Sequence, residues 1–298
     1  MTQFLNLFFA GLALGSRYAL VALGFVIIYK ATGVINFAQG SLVALGAYLA
    51  YNFRQTWSLP FPVAVVMAVI AGGLIAAVIE RALLGRVIGR PVFGVIMITI
   101  GLLFVLDQVV TTLWGHEALS LGDPWGIHKL TVGGVVLSVR DLWTIGLTAA
   151  VLLSFFVFFR YSGTGLAMRA TAIDQEAALA RGVSVKRVFA AAWAVAGAVA
   201  ALAGITLASG PAALTPSIGF IALAAFPAMI LGGLDSPVGA VVGGLIIGVT
   251  QTLTAGYQPE HAAFLGNNFQ VVMPYVVMIV ILLIRPYGLF GTKEVHRV

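Results

Sequence analysis

Residues 5–29 read LNLFFAGLALGSRYALVALGFVIIY, an apolar run in which Arg17 is the single formal charge. A bilayer's hydrocarbon core takes about 20 helical residues to cross, and this run exceeds that length. It lacks the basic region that precedes a signal-peptide core and is longer than such a core, so it is expected to persist as a helix. Working outward, Gly, Pro and charged residues divide the rest of the chain into further apolar runs. Nine segments result: 5–29, 35–51, 62–84, 92–114, 142–159, 188–208, 220–234, 237–255 and 269–284, the second and seventh being short. The expected fold is therefore all-α and polytopic, an integral membrane protein with about nine transmembrane segments (eight to ten), forming a single domain over residues 1–298.

Composition supports the same class. The chain of 298 residues is 61% hydrophobic and 9% charged, with mean hydropathy +1.07. That leaves too little polar surface to clothe a water-soluble globule. The net charge of +6 does not point to nucleic acid, because Lys and Arg sit mainly at the ends of apolar runs, where they report topology. Lys30, Arg81, Arg86, Arg90, Arg160, Arg169, Arg181, Lys186, Arg187, Arg285, Lys293 and Arg297 fall on one side, and Arg54, Lys129 and Arg140 on the other. The first side is read as cytoplasmic, which puts the amino terminus in the periplasm and the carboxyl terminus in the cytoplasm.

Catalytic signatures are missing. There is no phosphate-binding GxxxxGK[ST] loop, no HExxH pair and no GxSxG turn. The chain has no cysteine, and His116, His128, His261 and His296 lie outside the expected spans. No catalytic residue, metal ligand or bound cofactor is expected, and an enzymatic role is disfavoured.

Residues 160–187, RYSGTGLAMRATAIDQEAALARGVSVKR, are too polar to span and form a long cytoplasmic loop. Asp174 can cap a short helix, Asp174 and Glu176 put negative charge at its start, Arg181 complements its end, and Gly182 can take a left-handed terminating conformation. A helix of two or three turns is marginal alone, so it should rest on another surface, and Ala177 and Ala178 offer a small face for docking. Between 114 and 142, TVGGVVLSV alternates like strand, as a small external hairpin or a plain connector.

Buried polar residues are costly in a bilayer, so each needs a partner or a wet path. Arg17 and Asp107 stand at similar depths and are expected to pair, or else to snorkel or pair elsewhere. Asn36, Gln39 and Gln251 are candidates for the translocation path, with interhelical hydrogen bonding as the other reading. The pairs Gly11/Gly15, Gly239/Gly243 and Gly244/Gly248 suit close helix packing, within one subunit or across a dimer. The short 220–234 segment with Gly232, Gly233, Asp235, Ser236 and Pro237 reads as a tight break between helices, a candidate to abut the cytoplasmic loop.

Glu176, Ala177, Ala178 and Gly182 spell EAA followed by Gly at the spacing of the EAA loop of ABC permeases, which this segment resembles. Two longer stretches, GLALGSRYALVALGFVIIYKATGVINFAQGSLVALGAY and AFPAMILGGLDSPVGAVVGGLIIGVTQTL, are similar to the branched-chain amino acid permeases of ABC importers. One departure is Gln39, where that family often has His. The resemblance implies an importer permease fold that moves branched-chain or related amino acids across the bacterial inner membrane. It also implies that Asp174, Glu176, Ala177, Ala178, Arg181 and Gly182 couple to the ATPase. Implied partners are a second homologous permease subunit or a second copy, two ATPase subunits that use the ATP, and a periplasmic solute-binding protein. Permeases for urea, short amides or sugars are the nearest alternatives, and a stand-alone secondary transporter is a further one.

Overall fold

In hydrocarbon, backbone N–H and C=O groups have no water to satisfy them, so apolar runs become helices. The computed structural model describes residues 2–87, 91–126, 128–210, 213–266 and 268–292; Arg90, Lys293, His296 and Arg297 lie outside them. Eleven α-helices are present among the described residues: α1 Thr2–Thr32, α2 Gln39–Tyr51, α3 Phe61–Ala82, α4 Val92–Trp114, α5 Val139–Tyr161, α6 Gly163–Ile173, α7 Gln175–Ala180, α8 Val185–Ala208, α9 Ile221–Gly232, α10 Pro237–His261 and α11 Phe269–Ile284. Each of the nine expected segments falls on one of these helices. Six described helices are long and apolar enough to cross a membrane: Thr2–Thr32, Phe61–Arg86, Val92–Trp114, Val139–Tyr161, Val185–Ala208 and Pro237–His261. The other three segments correspond to α2, α9 and α11, which are shorter. Hydropathy alone cannot separate such a piece from a span, because a short helix buried in protein is also apolar all round.

Helix ends follow local chemistry. Pro60 and Pro91 stand immediately before α3 and α4, where a missing N–H costs nothing. Ser236 accepts a hydrogen bond from the Gly239 N–H at 3.0 Å and so caps α10. The expected break between α9 and α10 is present, with Gly233 at φ +110°. Chain from the carboxyl end satisfies its carbonyls: the Leu289 and Phe290 N–H groups donate to Leu231 and Gly232, and Asp235 accepts from the Thr292 backbone N–H. β1 (Lys129–Val132) and β2 (Val135–Ser138) pair antiparallel. Their two-residue turn, Gly133 and Gly134, has φ positive at both positions, which glycine adopts without strain.

The backbone groups into two compact units. One draws on Met1–Val26, Trp125–Thr148 and Leu223–Val298. Its seam is α1 against α10. A Cβ placed on Gly248 would stand 2.2 Å from the Gly15 nitrogen, and one on Gly15 would stand 2.7 Å from the Gly244 carbonyl oxygen. The glycine pairs therefore serve packing within the chain, since only backbones without side chains approach so closely. Asn6 ties the hairpin to α1 by accepting from the Val136 N–H at 2.9 Å.

The other unit comprises Ile27–Pro124 and Ala149–Ala222. Here α8 packs on α2 and α3, again through small residues: a Cβ on Gly197 would come within 2.6 Å of the Gly72 carbonyl oxygen. Buried residues of α3 include Ala64, Ala68, Gly72, Ala76 and Glu80, a stripe repeating every four residues along one face. Tyr48 and Trp193 are the largest fully buried side chains of this unit.

Candidate functional site

The polar segment after α5 folds as two helices. Ser162 caps α6 by accepting from the Gly165 N–H at 2.9 Å. A Cβ at Gly165 would lie 2.4 Å from the Phe159 carbonyl oxygen, so glycine permits α6 to start directly against the last turn of α5. Arg169 stacks over the Phe159 ring at 5.4 Å and donates to the Phe159 and Arg160 carbonyls. Lys30, at the end of α1, lies over the same ring at 5.3 Å. Two cations on one aromatic ring knit α1, α5 and α6 together. The sequence reading missed α6, although Ser162 followed by an apolar-periodic stretch was available as a start signal.

At Asp174 the chain turns out to φ −156°, ψ 112° and begins α7. The Asp174 carboxylate accepts from the Ala177 N–H at 3.0 Å, the cap that its position predicts. Arg181 closes the helix with its backbone N–H, and Gly182 takes φ +80° while its N–H donates to Leu179 at 2.9 Å. Ala178 turns inward and is buried; Glu176, Ala177 and Arg181 stay exposed. Two large apolar side chains nearby in the chain are also exposed, Leu179 of α7 at 57% and Ile173, the last residue of α6, at 87%.

Arg17 takes the other course open to it and pairs with Asp141. Its Nη2 donates to Asp141 Oδ1 at 3.1 Å, the pair being partly buried, and Arg140 Nε is 3.9 Å from the same oxygen. Of the two expectations for Arg17, pairing with Asp107 or pairing elsewhere, the contact with Asp141 is the second; depth along a helix fixes height and not the neighbour in the membrane plane. The fifth segment was expected from 142, whereas α5 begins at Val139 and holds Asp141 in its first turn. Asp107 is half-buried, and its carbonyl accepts from Thr111 Oγ1 at 2.8 Å.

The path candidates separate. Gln251 Oε1 accepts from Tyr18 Oη at 2.8 Å, bridging α10 and α1, which is the interhelical role such an amide can take. Gln39 begins α2 fully buried, and neither amide atom has a hydrogen-bond partner among the described residues. Asn36 Oδ1 accepts from the Ala38 N–H at 3.1 Å, while its Nδ2 is buried and has no hydrogen-bond partner among the described residues.

Asn36 also lines a cavity of about 210 Å³, with Thr32, Glu80, Val95, Gln175 and Trp193 among its walls. Glu80 is 1% exposed, and neither carboxylate oxygen has a hydrogen-bond partner among the described residues. The sequence reading passed over Glu80, since a carboxylate at the end of an apolar run and next to Arg81 resembles an ordinary interfacial charge. The signal was its register: four residues beyond Ala76, on the stripe of small residues that packs inward.

Residues 7–282 match the family described as branched-chain amino acid transport system, permease component. The high-affinity branched-chain amino acid transport system permease protein LivH of Salmonella typhimurium is 31% identical over 311 residues, covering 99% of this chain and 98% of that protein. The protein of the same name from Escherichia coli is 30% identical with the same coverage. BraD of Pseudomonas aeruginosa, a high-affinity branched-chain amino acid transport system permease protein, is 29% identical, covering 97% and 96%. Among solved structures, a chain of PsaBC from Streptococcus pneumoniae in complex with Fab is similar at TM-score 0.50 and 17% identity, covering 93% of this chain and 91% of that one. At that identity the likeness concerns the fold alone.

Proposed function

Because the chain belongs to the family of branched-chain amino acid transport permeases, we propose that it carries the solute path of an ATP-binding-cassette importer and receives the motor's push at α7. It is a multi-pass membrane permease of an importer system, and its role is transport. The solutes are branched-chain amino acids or close relatives. The finer reading puts the amino terminus in the periplasm and the carboxyl terminus in the cytoplasm of an inner-membrane protein. Its partners are a second homologous permease or a second copy of this chain, two ATPase subunits that bind the ATP, and a periplasmic solute-binding protein.

The observation that carries the coupling role is the two-sided character of α7. One side is fixed: Asp174 caps it, Ala178 is buried, and a short turn joins it to α8. Glu176, Ala177 and Leu179 of α7 are exposed, as is Ile173 at the end of α6, and together they offer apolar surface that a partner would cover. A six-residue helix is too short to hold itself in water, so its rigidity comes from α8 and from α6. Displacement of α7 is passed to α8 through that turn, and to α5 through Arg169 on Phe159.

Absence of native cysteine makes the placement directly testable. A single cysteine at Glu176 should resist a membrane-impermeant maleimide in intact cells and react in inverted vesicles. Labelling from outside would overturn the coupling role. Glu176→Lys should leave the chain in the membrane while abolishing leucine uptake and solute-stimulated ATP hydrolysis. Uptake of urea in place of leucine by the wild type would move the solute class to small amides.

A further inference from the structure

The cavity behind α7 presents two unmet polar groups of opposite kind. Glu80 offers two acceptor oxygens and a formal negative charge; Asn36 offers an N–H donor from Nδ2. Both are buried, and they do not bond each other. Thr99, the other buried hydroxyl of the wall, is already engaged, donating to Ile96 and accepting from the Phe37 N–H. The rest of the lining is largely aliphatic and aromatic, including Ile28, Leu84, Val95, Phe189 and Trp193. An unpaired buried carboxylate is costly unless a cation meets it, and a buried amide donor without an acceptor carries its own penalty.

One small molecule answers both groups. An α-amino acid zwitterion brings an ammonium for Glu80 and a carboxylate for the Asn36 amide, and an aliphatic side chain matches the walls. About 210 Å³ lies below the ~300–1,000 Å³ of pockets for drug-sized ligands, which suits a single amino acid. A divalent metal is a poor fit, because Glu80 is the one carboxylate, and no histidine or cysteine accompanies it in the lining. Exposed Gln175 and Val92 form part of the rim.

We propose that this cavity is an aliphatic amino-acid site, built by Glu80 and Asn36, whose occupant touches the coupling helix through Gln175. Gln175 is the first residue of α7, so occupancy and the position of α7 are linked, each shifting the other by the same free energy. Glu80 closes the same end of α3 as Arg81 and Arg86, so the site is reached from the cytoplasm and senses internal solute. That side of the membrane and the coupling role of α7 rest on the proposed function; the ligand chemistry does not.

The test uses the full-length chain in lipid nanodiscs without ATPases, following tryptophan fluorescence and calorimetry on titration with leucine, 4-methylpentanoate and leucinol. Leucine should bind saturably. 4-Methylpentanoate, lacking the ammonium, and leucinol, lacking the carboxylate, should each bind at least tenfold more weakly. Glu80→Gln should weaken leucine at least tenfold and erase the preference for leucine over 4-methylpentanoate. Val95→Phe, which fills the cavity and keeps the carboxylate, should abolish binding, with circular dichroism confirming that both variants remain folded. Unchanged leucine affinity in folded Glu80→Gln, no saturable binding to the wild type, or an equal response to sodium chloride alone would each overturn the site. Because binding is read without the motor, these failures leave the importer role standing, whereas external labelling at position 176 removes only the cytoplasmic side and the coupling.

Discussion

Arg17 and Glu80 are both ionisable side chains carried into the membrane domain on long apolar helices, and the protein treats them in opposite ways. Arg17 meets Asp141 at 3.1 Å, beside a glycine seam and the Tyr18–Gln251 hydrogen bond. Glu80, more deeply buried, meets no hydrogen-bond partner among the described residues and faces a cavity. The first arrangement pairs opposite charges and so holds helices in place, although Arg17 Nε is buried without a hydrogen-bond partner among the described residues. The second leaves its polar groups open, which costs stability and has value only if something else completes them.

That contrast breaks or sharpens under substitution. The largest effect is expected at the closed seam itself. Gly248→Val would drive a side chain into the Gly15 backbone, and overpacking of this kind costs about 1–3 kcal/mol, here at the top of that range; folded yield and thermal midpoint in detergent would fall together. Next, Arg17→Met should destabilise by about 2 kcal/mol, the scale of a lost charge-assisted hydrogen bond. Adding Asp141→Leu should recover most of that loss, and a double-mutant cycle without coupling would show the pair to be idle.

Glu80→Gln should go the other way, raising the thermal midpoint by about 1 kcal/mol equivalent, because an unmatched charge is replaced by a neutral amide of the same shape. A loss as large as that of Arg17→Met would erase the distinction between the two regions. The smallest change is expected for Tyr18→Phe, about 0.6 kcal/mol, typical of an interhelical hydrogen bond within a membrane. Its measurement decides whether Gln251 acts as a strut or is free to serve solute.

Legibility followed range along the chain. The α7 cap, its left-handed stop at Gly182 and the glycine break before α10 were readable, because each is settled by residues within a few positions. The boundaries of α4 and α11 were equally plain from apolar runs between Pro or Gly and charge. By contrast, α6 lies in a segment expected to be loop because it is too polar to span, and the role of Gly165 shows only where it lies against the Phe159 carbonyl. Asp141 fell one residue outside the expected fifth segment and Glu80 was not singled out within the third, since neither reveals its neighbours.

The sequence by itself determined that this is a helical membrane permease, where its apolar segments run, and that a capped helix bearing Glu176 follows α5. Those properties come from hydropathy, capping and turn chemistry, which act locally. Only the tertiary structure decided that Arg17 takes Asp141, at a separation of 124 residues, that Gly11, Gly15, Gly244 and Gly248 pack within one chain, and that Asn36 and Glu80 share a cavity. Partner choice in a bilayer depends on which helix faces come together, and spacing along a single helix carries height and face without naming the neighbour.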